Sequence, residues 1–154
     1  GVKATFFMVA ENAERYPELL ARVRNEGHVV GNHTYHHMRG CKHDMQTYVR
    51  DAMHGAEVLQ TTLFRPPHGR MRNSQKKALL KQGYTIYLWD VLTHDYNPCY
   101  SVDKMLAIVK RYTRNGSILV MHDSLKSKDR MLVVLPQIIE WLQSNGYKMG
   151  ILGQ

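Results

Sequence analysis

The chain has 154 residues and a formal net charge of +8, and 44% of its residues are hydrophobic. This length and composition predict one globular domain over residues 1–154. No apolar run approaches the ~18 residues of a membrane-spanning helix, so we expect no membrane span. The two cysteines are too few to indicate a disulfide framework.

Short apolar segments predict six strands, at residues 3–10, 28–34, 62–67, 84–91, 117–123 and 147–153. Amphipathic segments between them predict five helices, at residues 12–27, 44–60, 74–83, 101–116 and 130–146. Asp44 and Ser101 are the expected N-caps, and Pro136 predicts a kink or a later start of the last helix. The alternation of strands and helices predicts an α/β fold with parallel strands, either an open sheet or a barrel.

Histidines follow the predicted strands. The chain has nine histidines, and five of them lie at or just after a strand end: His33, His37, His68, His94 and His122. Parallel α/β folds carry their chemistry at the carboxyl ends of the strands. The sequence therefore predicts a histidine-rich site on one face of the sheet or barrel.

The stretch "GNHTYHH" places His33 and His37 four residues apart. On a helical turn this spacing puts both imidazoles on one face, within reach of one metal ion. The alternative is a pair of exposed loop histidines. His36 lies on another side of such a turn, so we expect it to be a surface or supporting residue.

The stretch "FRPPHGR" predicts a rigid loop directly after a strand, because two prolines fix φ and Gly69 permits close approach of a ligand. Such a loop can present the backbone N–H of His68 to a developing oxyanion. Arg65 is a cation able to hold a carboxylate through two hydrogen bonds. The alternative is a tight turn that carries a surface arginine.

His122 follows a strongly apolar strand and is expected to be partly buried, so its ring needs a hydrogen-bond partner. Asp95 is the candidate partner, with Asp90 and Asp123 as competing residues. A carboxylate on one ring nitrogen fixes the tautomer and prepares a general acid. The alternative is a core histidine that hydrogen-bonds to the backbone.

Taken together, these stretches resemble the polysaccharide deacetylase family, the NodB-homology domains of carbohydrate esterase family 4. "GNHTYHH" looks like the family's H-[ST]-x-x-x-H metal motif, and "RPPHGR" looks like its R-P-P-[YF]-G motif. "WDVLTHDYNP" and "ILVMHDS" look like its aspartate motif and its L-x-H motif. The resemblance covers essentially the whole chain, in the family's order.

The resemblance implies a distorted (β/α) barrel. It implies removal of acetyl groups from N-acetylated polysaccharide or oligosaccharide, or of O-acetyl groups from xylan. It also implies a divalent metal, with zinc expected and cobalt, nickel or manganese as alternatives. Acetylated polysaccharide or oligosaccharide is therefore the expected partner, with no nucleic acid and no membrane span.

By the same resemblance, His33 and His37 would be metal ligands. His122 would be the general acid, Asp95 would tune it, and Arg65 would orient the catalytic base. The reaction would be metal-assisted attack of water on the acetyl carbonyl, followed by protonation of the leaving amine by His122.

Three further residues take substrate roles by the resemblance. The backbone N–H of His68 would help form the oxyanion hole, where the family usually has tyrosine or phenylalanine. Val120 would line the acetyl pocket, at a position where leucine is frequent. Tyr96 stands where tryptophan often follows the aspartate, so a wall of the sugar pocket is expected to differ.

The family's first motif, T-F-D-D-G-P, does not occur in this sequence. In the family it supplies the catalytic base and a third metal ligand. We therefore expect a barrel that is N-terminally incomplete and lacks its first strand, with weak metal binding and uncertain activity. A non-catalytic glycan-binding module is the alternative, and a basic nucleic-acid-binding domain is a weaker one.

Overall fold

The computed structural model describes residues 1–153, which form six strands and six helices. The strands are β1 (Thr5–Met8), β2 (Val29–Asn32), β3 (Leu63–Phe64), β4 (Thr85–Ile86), β5 (Val91–Leu92) and β6 (Leu119–Val120). The helices are α1 (Ala10–Arg15), α2 (Pro17–Asn25), α3 (Met45–Leu59), α4 (Asn73–Lys81), α5 (Val102–Tyr112) and α6 (Lys128–Ser144). Short 3₁₀ turns lie at Gly40–Lys42 and Pro67–Gly69.

All strand pairs are parallel. One sheet has the order β1-β2-β3-β4, and a second sheet pairs β5 with β6. Each strand pair within a sheet is connected through at least one helix, as parallel connections require. The predicted α/β class with parallel strands is therefore what the chain forms.

The contacts divide the chain into two compact units. The first unit comprises residues 1–88 and 150–153, and the second comprises residues 89–149. The prediction of one domain over residues 1–154 stays a prediction. No helix of residues 1–153 combines the length and the apolar character that crossing a bilayer would require.

Each unit has its own apolar core. In the first unit, one cluster contains Tyr48, Ala52, Phe64, Leu79 and Tyr84, and another contains Ala10, Ala13, Val30 and Leu59. In the second unit, the core contains Val91, Met105, Val109, Val134, Ile138 and Leu142. In both units the helices cover a parallel sheet with apolar residues, which is how such sheets are stabilised.

Two N-caps that the sequence predicts are present. Asp44 accepts a hydrogen bond from the backbone N–H of Thr47 at 2.9 Å, and Ser101 accepts one from Lys104 at 3.2 Å. These bonds satisfy amide groups that have no partner within the helix.

The predicted strand at residues 84–91 is wrong as a single strand. It is split into β4, in the first unit, and β5, in the second. The Arg65 guanidinium donates hydrogen bonds to the backbone carbonyls of Tyr87 and Leu88. Those carbonyls are then engaged by a side chain instead of a neighbouring strand, which interrupts the ladder.

The predicted strand at residues 147–153 is also wrong, because no strand lies there. The N–H of Leu152 donates to the Thr5 hydroxyl instead of to a strand carbonyl, at 2.9 Å. Gly153 has a φ of 88°, which is outside the extended region. Apolar alternation alone does not form a strand where the backbone finds other partners.

Two helix predictions need correction as well. The predicted helix at residues 12–27 is two helices, α1 and α2, because Pro17 has no N–H and disfavours the helical conformation in Tyr16. The last helix begins at Lys128, two residues before the predicted start, and continues through Pro136 to Ser144.

Candidate active site

His33 and His37 lie in an irregular loop after β2. The expected helical turn is not formed, because Thr34 and His37 adopt left-handed φ values of 65° and 54°. The loop nevertheless brings the two rings together, with their centroids 5.0 Å apart and their planes at 51°. The pair of imidazoles is thus adjacent for a different reason from the one that the i, i+4 spacing suggests.

Asn32 fastens the start of this loop to α3. Its fully buried side chain donates to the carbonyl of Ala52 at 2.7 Å and accepts from the N–H of Thr34 at 2.8 Å. Gly55 lets the helix approach this closely, because a Cβ there would lie 2.7 Å from the Asn32 side-chain oxygen. Helix packing therefore fixes the residue that precedes His33.

Asp51 fastens the middle of the loop. Its buried carboxylate accepts from the backbone N–H groups of Tyr35 and His36, at 3.1 and 3.2 Å, and from Nδ1 of His36. His36 therefore supports the loop while its ring stays largely exposed, in agreement with its predicted supporting position. A buried carboxylate with several hydrogen bonds is a firm anchor for a loop that lacks regular structure.

The tautomer of His33 follows from its contact with the next strand. Nδ1 of His33 lies 2.6 Å from the backbone carbonyl oxygen of Arg65. A carbonyl oxygen can only accept, so Nδ1 carries the proton and Nε2 of the neutral ring has the lone pair. Metal-bound histidines generally have this arrangement, in which the other ring nitrogen donates to a carbonyl or carboxylate.

Residues 1–153 contain no group of three or more His, Cys, Asp or Glu side chains that could hold a metal ion. The donors of the His33–His37 pair nevertheless suit zinc, for which imidazole nitrogen is a preferred ligand. A catalytic zinc ion generally has three protein ligands. His33 and His37 could therefore supply two of these three ligands.

The loop after β3 carries His68 in a strained conformation. His68 has a φ of 58° within the turn Pro67–Gly69, and the N–H of Gly69 closes the turn onto the carbonyl of Pro66 at 2.9 Å. The two prolines restrict the loop, which helps to stabilise the left-handed φ. Among the described residues, the backbone N–H of His68 has no hydrogen-bond acceptor.

The ring of His68 continues the row of imidazoles. Its centroid lies 5.0 Å from that of His37, and its Nε2 lies 3.1 Å from Nε of Arg39. The guanidinium donates, so Nε2 of His68 is the acceptor. Burial and the positive charge of Arg39 lower the pKa of His68, which favours the neutral ring.

Arg65 is a buried cation at the end of β3. Its guanidinium lies 4.2 Å from the ring centroid of Phe7 and donates to the carbonyls of Tyr87 and Leu88, with both N···O distances at 3.3 Å. Burial lowers the pKa of Arg65 to about 10. The guanidinium is therefore rigidly held, as a residue that positions a carboxylate needs to be.

The second cluster lies in the second unit, where Asp95 and His122 follow β5 and β6. Nδ1 of His122 is 2.8 Å from Oδ1 of Asp95, and the backbone N–H of His122 donates to Oδ2 at 2.6 Å. The Thr93 hydroxyl also donates to Asp95, at 3.1 Å. Of the three candidate aspartates, Asp95 is therefore the partner of His122, while Asp90 bonds to Ser117 and Ile118.

Asp95 is fully buried, and burial by itself disfavours its charged form. The hydrogen bonds from the ring and backbone of His122 outweigh this effect and lower the pKa of Asp95 below its ordinary value. The carboxylate therefore stays ionised at neutral pH. It accepts a hydrogen bond from the protonated Nδ1 of His122. Nε2 is therefore the ring nitrogen that can exchange a proton with solvent or substrate.

The first turn of α6 holds this pair. Arg130 donates from Nε and Nη2 to the backbone carbonyl of Asp95, at 3.1 and 2.8 Å. The hydroxyl of the buried Ser127 donates to the backbone carbonyl of His122. Asp95 and His122 are thus fixed by their backbones as well as by their own contact.

Two further predicted residues lie close to this pair. The ring of Tyr96 meets the His122 ring edge to face, with centroids 4.9 Å apart. Val120 is buried in β6, where it pairs with Leu92 and its carbonyl shares the proton of the Thr93 hydroxyl with Asp95. In the chain, Tyr96 directly follows Asp95, and Val120 precedes His122 by two residues.

The residues that support the two clusters do not stand out in the sequence. Asn32, Asp51 and Arg130 bond to Ala52, His36 and Asp95, which are 15 to 35 residues away in the chain. One signal was available: Asp51 is an acidic residue on a helical position that proves to be buried. Buried acids generally have a specific partner.

The chain matches the model of the polysaccharide deacetylase family over residues 1–87. A relative from Bacillus cereus, named peptidoglycan-N-acetylglucosamine deacetylase, is 33% identical over 148 residues. That match covers 89% of this chain and 54% of the relative, so the chain spans about half the length of this relative.

Two solved structures have similar folds. A peptidoglycan N-acetylglucosamine deacetylase, in complex with 4-naphthalen-1-yl-N-oxidanyl-benzamide, superposes with a TM-score of 0.93 and 32% identity, over 98% of this chain and 73% of that one. A family 4 carbohydrate esterase from Streptomyces lividans, in complex with acetate, gives a TM-score of 0.90 and 26% identity, over 99% and 80%. These likenesses confirm the predicted fold class, the NodB-type α/β fold.

Proposed function

The chain belongs to the polysaccharide deacetylase family, and from that premise we propose that it removes acetyl groups from an N-acetylated glycan of the peptidoglycan type. The observation that carries the proposal is the Asp95–His122 pair, a buried carboxylate bonded to Nδ1 of a histidine at a strand end. The substrate class comes from the relatives, which are named as peptidoglycan deacetylases.

His122 is the proton donor in this proposal. Asp95 holds the ring with Nδ1 protonated, so Nε2 is the atom that takes a proton from solvent and delivers it to the leaving amine. The Asp95 carboxylate fixes the tautomer of the ring, and the contacts from α6 hold the backbones of both residues in place. Protonation of the amine is needed because an amide anion is a poor leaving group.

Acyl-binding roles are assigned to residues of the first unit. His33 and His37 are the proposed ligands of a divalent ion, with zinc as the expected metal, since Nε2 of His33 has the lone pair. The family is generally metal-dependent. A divalent ion, once bound, polarises an acyl carbonyl as a Lewis acid.

The remaining roles are assigned to His68 and Arg65 of the first unit and to Val120 and Tyr96 of the second unit. The N–H of His68, in its proline-stiffened loop, would donate to the oxyanion. Arg65, which is buried and rigidly held, would orient the carboxylate of a catalytic base, which the family's T-F-D-D-G-P motif supplies and which this sequence does not contain. Val120 and Tyr96 are the proposed contacts for the acetyl group and the sugar.

The test is acetate release from an acetylated peptidoglycan fragment and from chitotetraose, with zinc added. It compares this chain with the natural protein that includes any sequence preceding Gly1. We expect His122→Ala to lower kcat by about 10²–10⁴ without changing zinc binding. His43→Ala is the matched control, because His43 lies outside both clusters, and it should retain the parent activity.

Two results would overturn the proposal. Acetate release that is unchanged in His122→Ala would remove the assigned proton donor. Glycan binding without acetate release in either protein, unchanged in His122→Ala, would support a non-catalytic glycan-binding module instead.

A further inference from the structure

An exposed basic surface borders the histidine row of the first unit. Between Glu57 and Asp90 the sequence has no acidic residue, while it contains the following basic residues: Arg65, Arg70, Arg72, Lys76, Lys77 and Lys81. All of these except Arg65 are exposed. This segment therefore carries much of the net charge of +8.

The loop at residues 39–44 lies against this segment and adds two more cations. The buried Gln75 donates to the carbonyl of Gly40 at 2.8 Å, and Arg72 donates to the carbonyl of Cys41 at 2.9 Å. A Cβ at Gly40 would lie 2.9 Å from the Cα of Met71, so the two backbones are in close contact. Arg39 and Lys42 of this loop are exposed.

We name the exposed residues Arg39, Lys42, Arg70 and Arg72 the basic edge. Arg39 bonds to the ring of His68, which lies next to His37. The basic edge thus begins at the proposed acyl-binding residues. The acidic residue within these segments, Asp44, has its carboxylate turned to the N–H and hydroxyl of Thr47.

We propose that the basic edge binds the carboxylates of an anionic glycan strand whose acetylated sugar lies at His33 and His37. This inference rests on the proposed deacetylase function and adds the charge of the substrate to it. Peptidoglycan strands carry carboxylates on their peptide stems, whereas chitin-type strands are neutral. Arginine is suited to this recognition, because its planar guanidinium pairs with carboxylates through two hydrogen bonds.

A nucleic acid would also be attracted by this charge, but the local composition favours a glycan. Proteins that bind single-stranded nucleic acids generally interleave basic residues with aromatic rings on which bases stack. Residues 39–44 and 68–77 contain no phenylalanine, tyrosine or tryptophan. The basic edge therefore offers charge without a stacking platform.

The test compares the binding of four probes to the chain by fluorescence anisotropy. The first is an acetylated peptidoglycan tetrasaccharide with free stem carboxylates, and the second is the same molecule with those carboxylates amidated. The third is chitotetraose, and the fourth is single-stranded DNA. We expect the first probe to bind roughly tenfold more tightly than the second and third, with a difference that shrinks as salt rises.

Two double variants test whether the basic edge is the surface that binds the first probe. The double variant Arg39→Gln with Arg70→Gln should weaken binding of the first probe about fivefold, from the loss of two exposed charge pairs. The matched control, Lys77→Gln with Lys81→Gln, removes the same charge. Lys81 lies ~12 Å from the start of α4, given the helical rise, so the control should bind the first probe as the parent does.

Equal affinity for the free and amidated probes would overturn the inference, as would equal losses in the two double variants or tighter binding of DNA than of the first probe. Acetate release from chitotetraose in the same samples tests the deacetylase function separately. Activity without a charge preference would reject only the basic edge, and a charge preference without activity would reject only the deacetylation.

Discussion

Asp95 is a buried carboxylate that remains charged because three hydrogen bonds converge on it. His122 provides two of them, from its ring and its backbone, and Thr93 provides the third. A carboxylate whose folded pKa is depressed stabilises the fold at every pH above its unfolded pKa, about 3.9. That stabilisation is lost as the pH falls through the folded pKa.

We expect Asp95→Asn to lower the free energy of unfolding by about 1–3 kcal/mol at pH 7, because the amide cannot accept all of these hydrogen bonds. The deficit relative to the parent should shrink as the pH falls through the folded pKa of Asp95, which lies below its ordinary value. In the same variant kcat should fall at least 100-fold, since the amide of Asn does not hold the tautomer and orientation of the His122 ring as the carboxylate does.

Urea unfolding at pH 7 and at a series of decreasing acidic pH values, with acetate release at pH 7, measures both effects. Asp123→Asn is the control, because Asp123 is exposed and adjacent to His122 in the chain. A deficit that stays constant with pH would show that Asp95 contributes through packing and not through its charge.

At the scale of elements, α3 holds the histidine loop because Gly55 permits close approach. A Cβ at this position would lie 3.1 Å from both the carbonyl carbon of Thr34 and the backbone nitrogen of Tyr35. Alanine is intrinsically the better helix former, by about 1 kcal/mol. Steric displacement of the loop should exceed this gain.

We therefore expect Gly55→Ala to lower the free energy of unfolding by roughly 1–3 kcal/mol and to weaken zinc binding. Circular dichroism during urea titration measures the first effect, and calorimetry with zinc measures the second. Gln46→Ala, at an exposed position of the same helix, should stay within about 0.5 kcal/mol of the parent. A more stable Gly55→Ala variant would mean that the loop moves aside without cost.

Helix α6 performs the corresponding task in the second unit. Arg130 donates two hydrogen bonds to the backbone carbonyl of Asp95, and it contacts neither the ring of His122 nor the Asp95 carboxylate in the described structure. It is therefore a positioning residue. Its loss should affect the geometry of the proton donor more than the binding of substrate.

For Arg130→Gln we expect kcat to fall about tenfold while KM changes little. Lys128→Gln removes the same charge from the same helical turn and should leave both constants at the parent values. Steady-state acetate release over a range of substrate concentrations separates the two constants. A rise in KM at constant kcat would instead indicate that Arg130 contacts the substrate.

For the molecule as a whole, metal binding should raise the free energy of unfolding and the Tm. A ligand that binds only the folded state at 100 times its Kd adds about 2.7 kcal/mol to the free energy of unfolding. We expect zinc to raise the Tm of the chain accordingly, and His33→Ala to abolish the rise. Mg²⁺ is the control, because it prefers oxygen ligands to imidazole.

Differential scanning fluorimetry with increasing zinc measures the shift. An equal rise of Tm in the parent and in His33→Ala would place the zinc elsewhere on the chain. An equal rise with Mg²⁺ would indicate a general effect of divalent charge and not coordination by imidazole.

The sequence by itself determined the features that depend on local physics. The alternation of apolar and amphipathic segments predicted the α/β class, and Asp44 and Ser101 were found as N-caps. The histidines at strand ends indicated candidate site residues, because parallel α/β folds carry their chemistry at the carboxyl ends of their strands. The rigid loop before His68 followed from its two prolines alone.

Only the tertiary structure decided what depends on partners distant in the chain. The hydrogen bonds of Arg65 split the segment at residues 84–91, and those of Asp51 gave the histidine loop an irregular path instead of a helical turn. Asp95 was distinguished from Asp90 and Asp123 in the same way. Local propensity differs little between such alternatives, so the long-range hydrogen bonds that satisfy buried polar groups select among them.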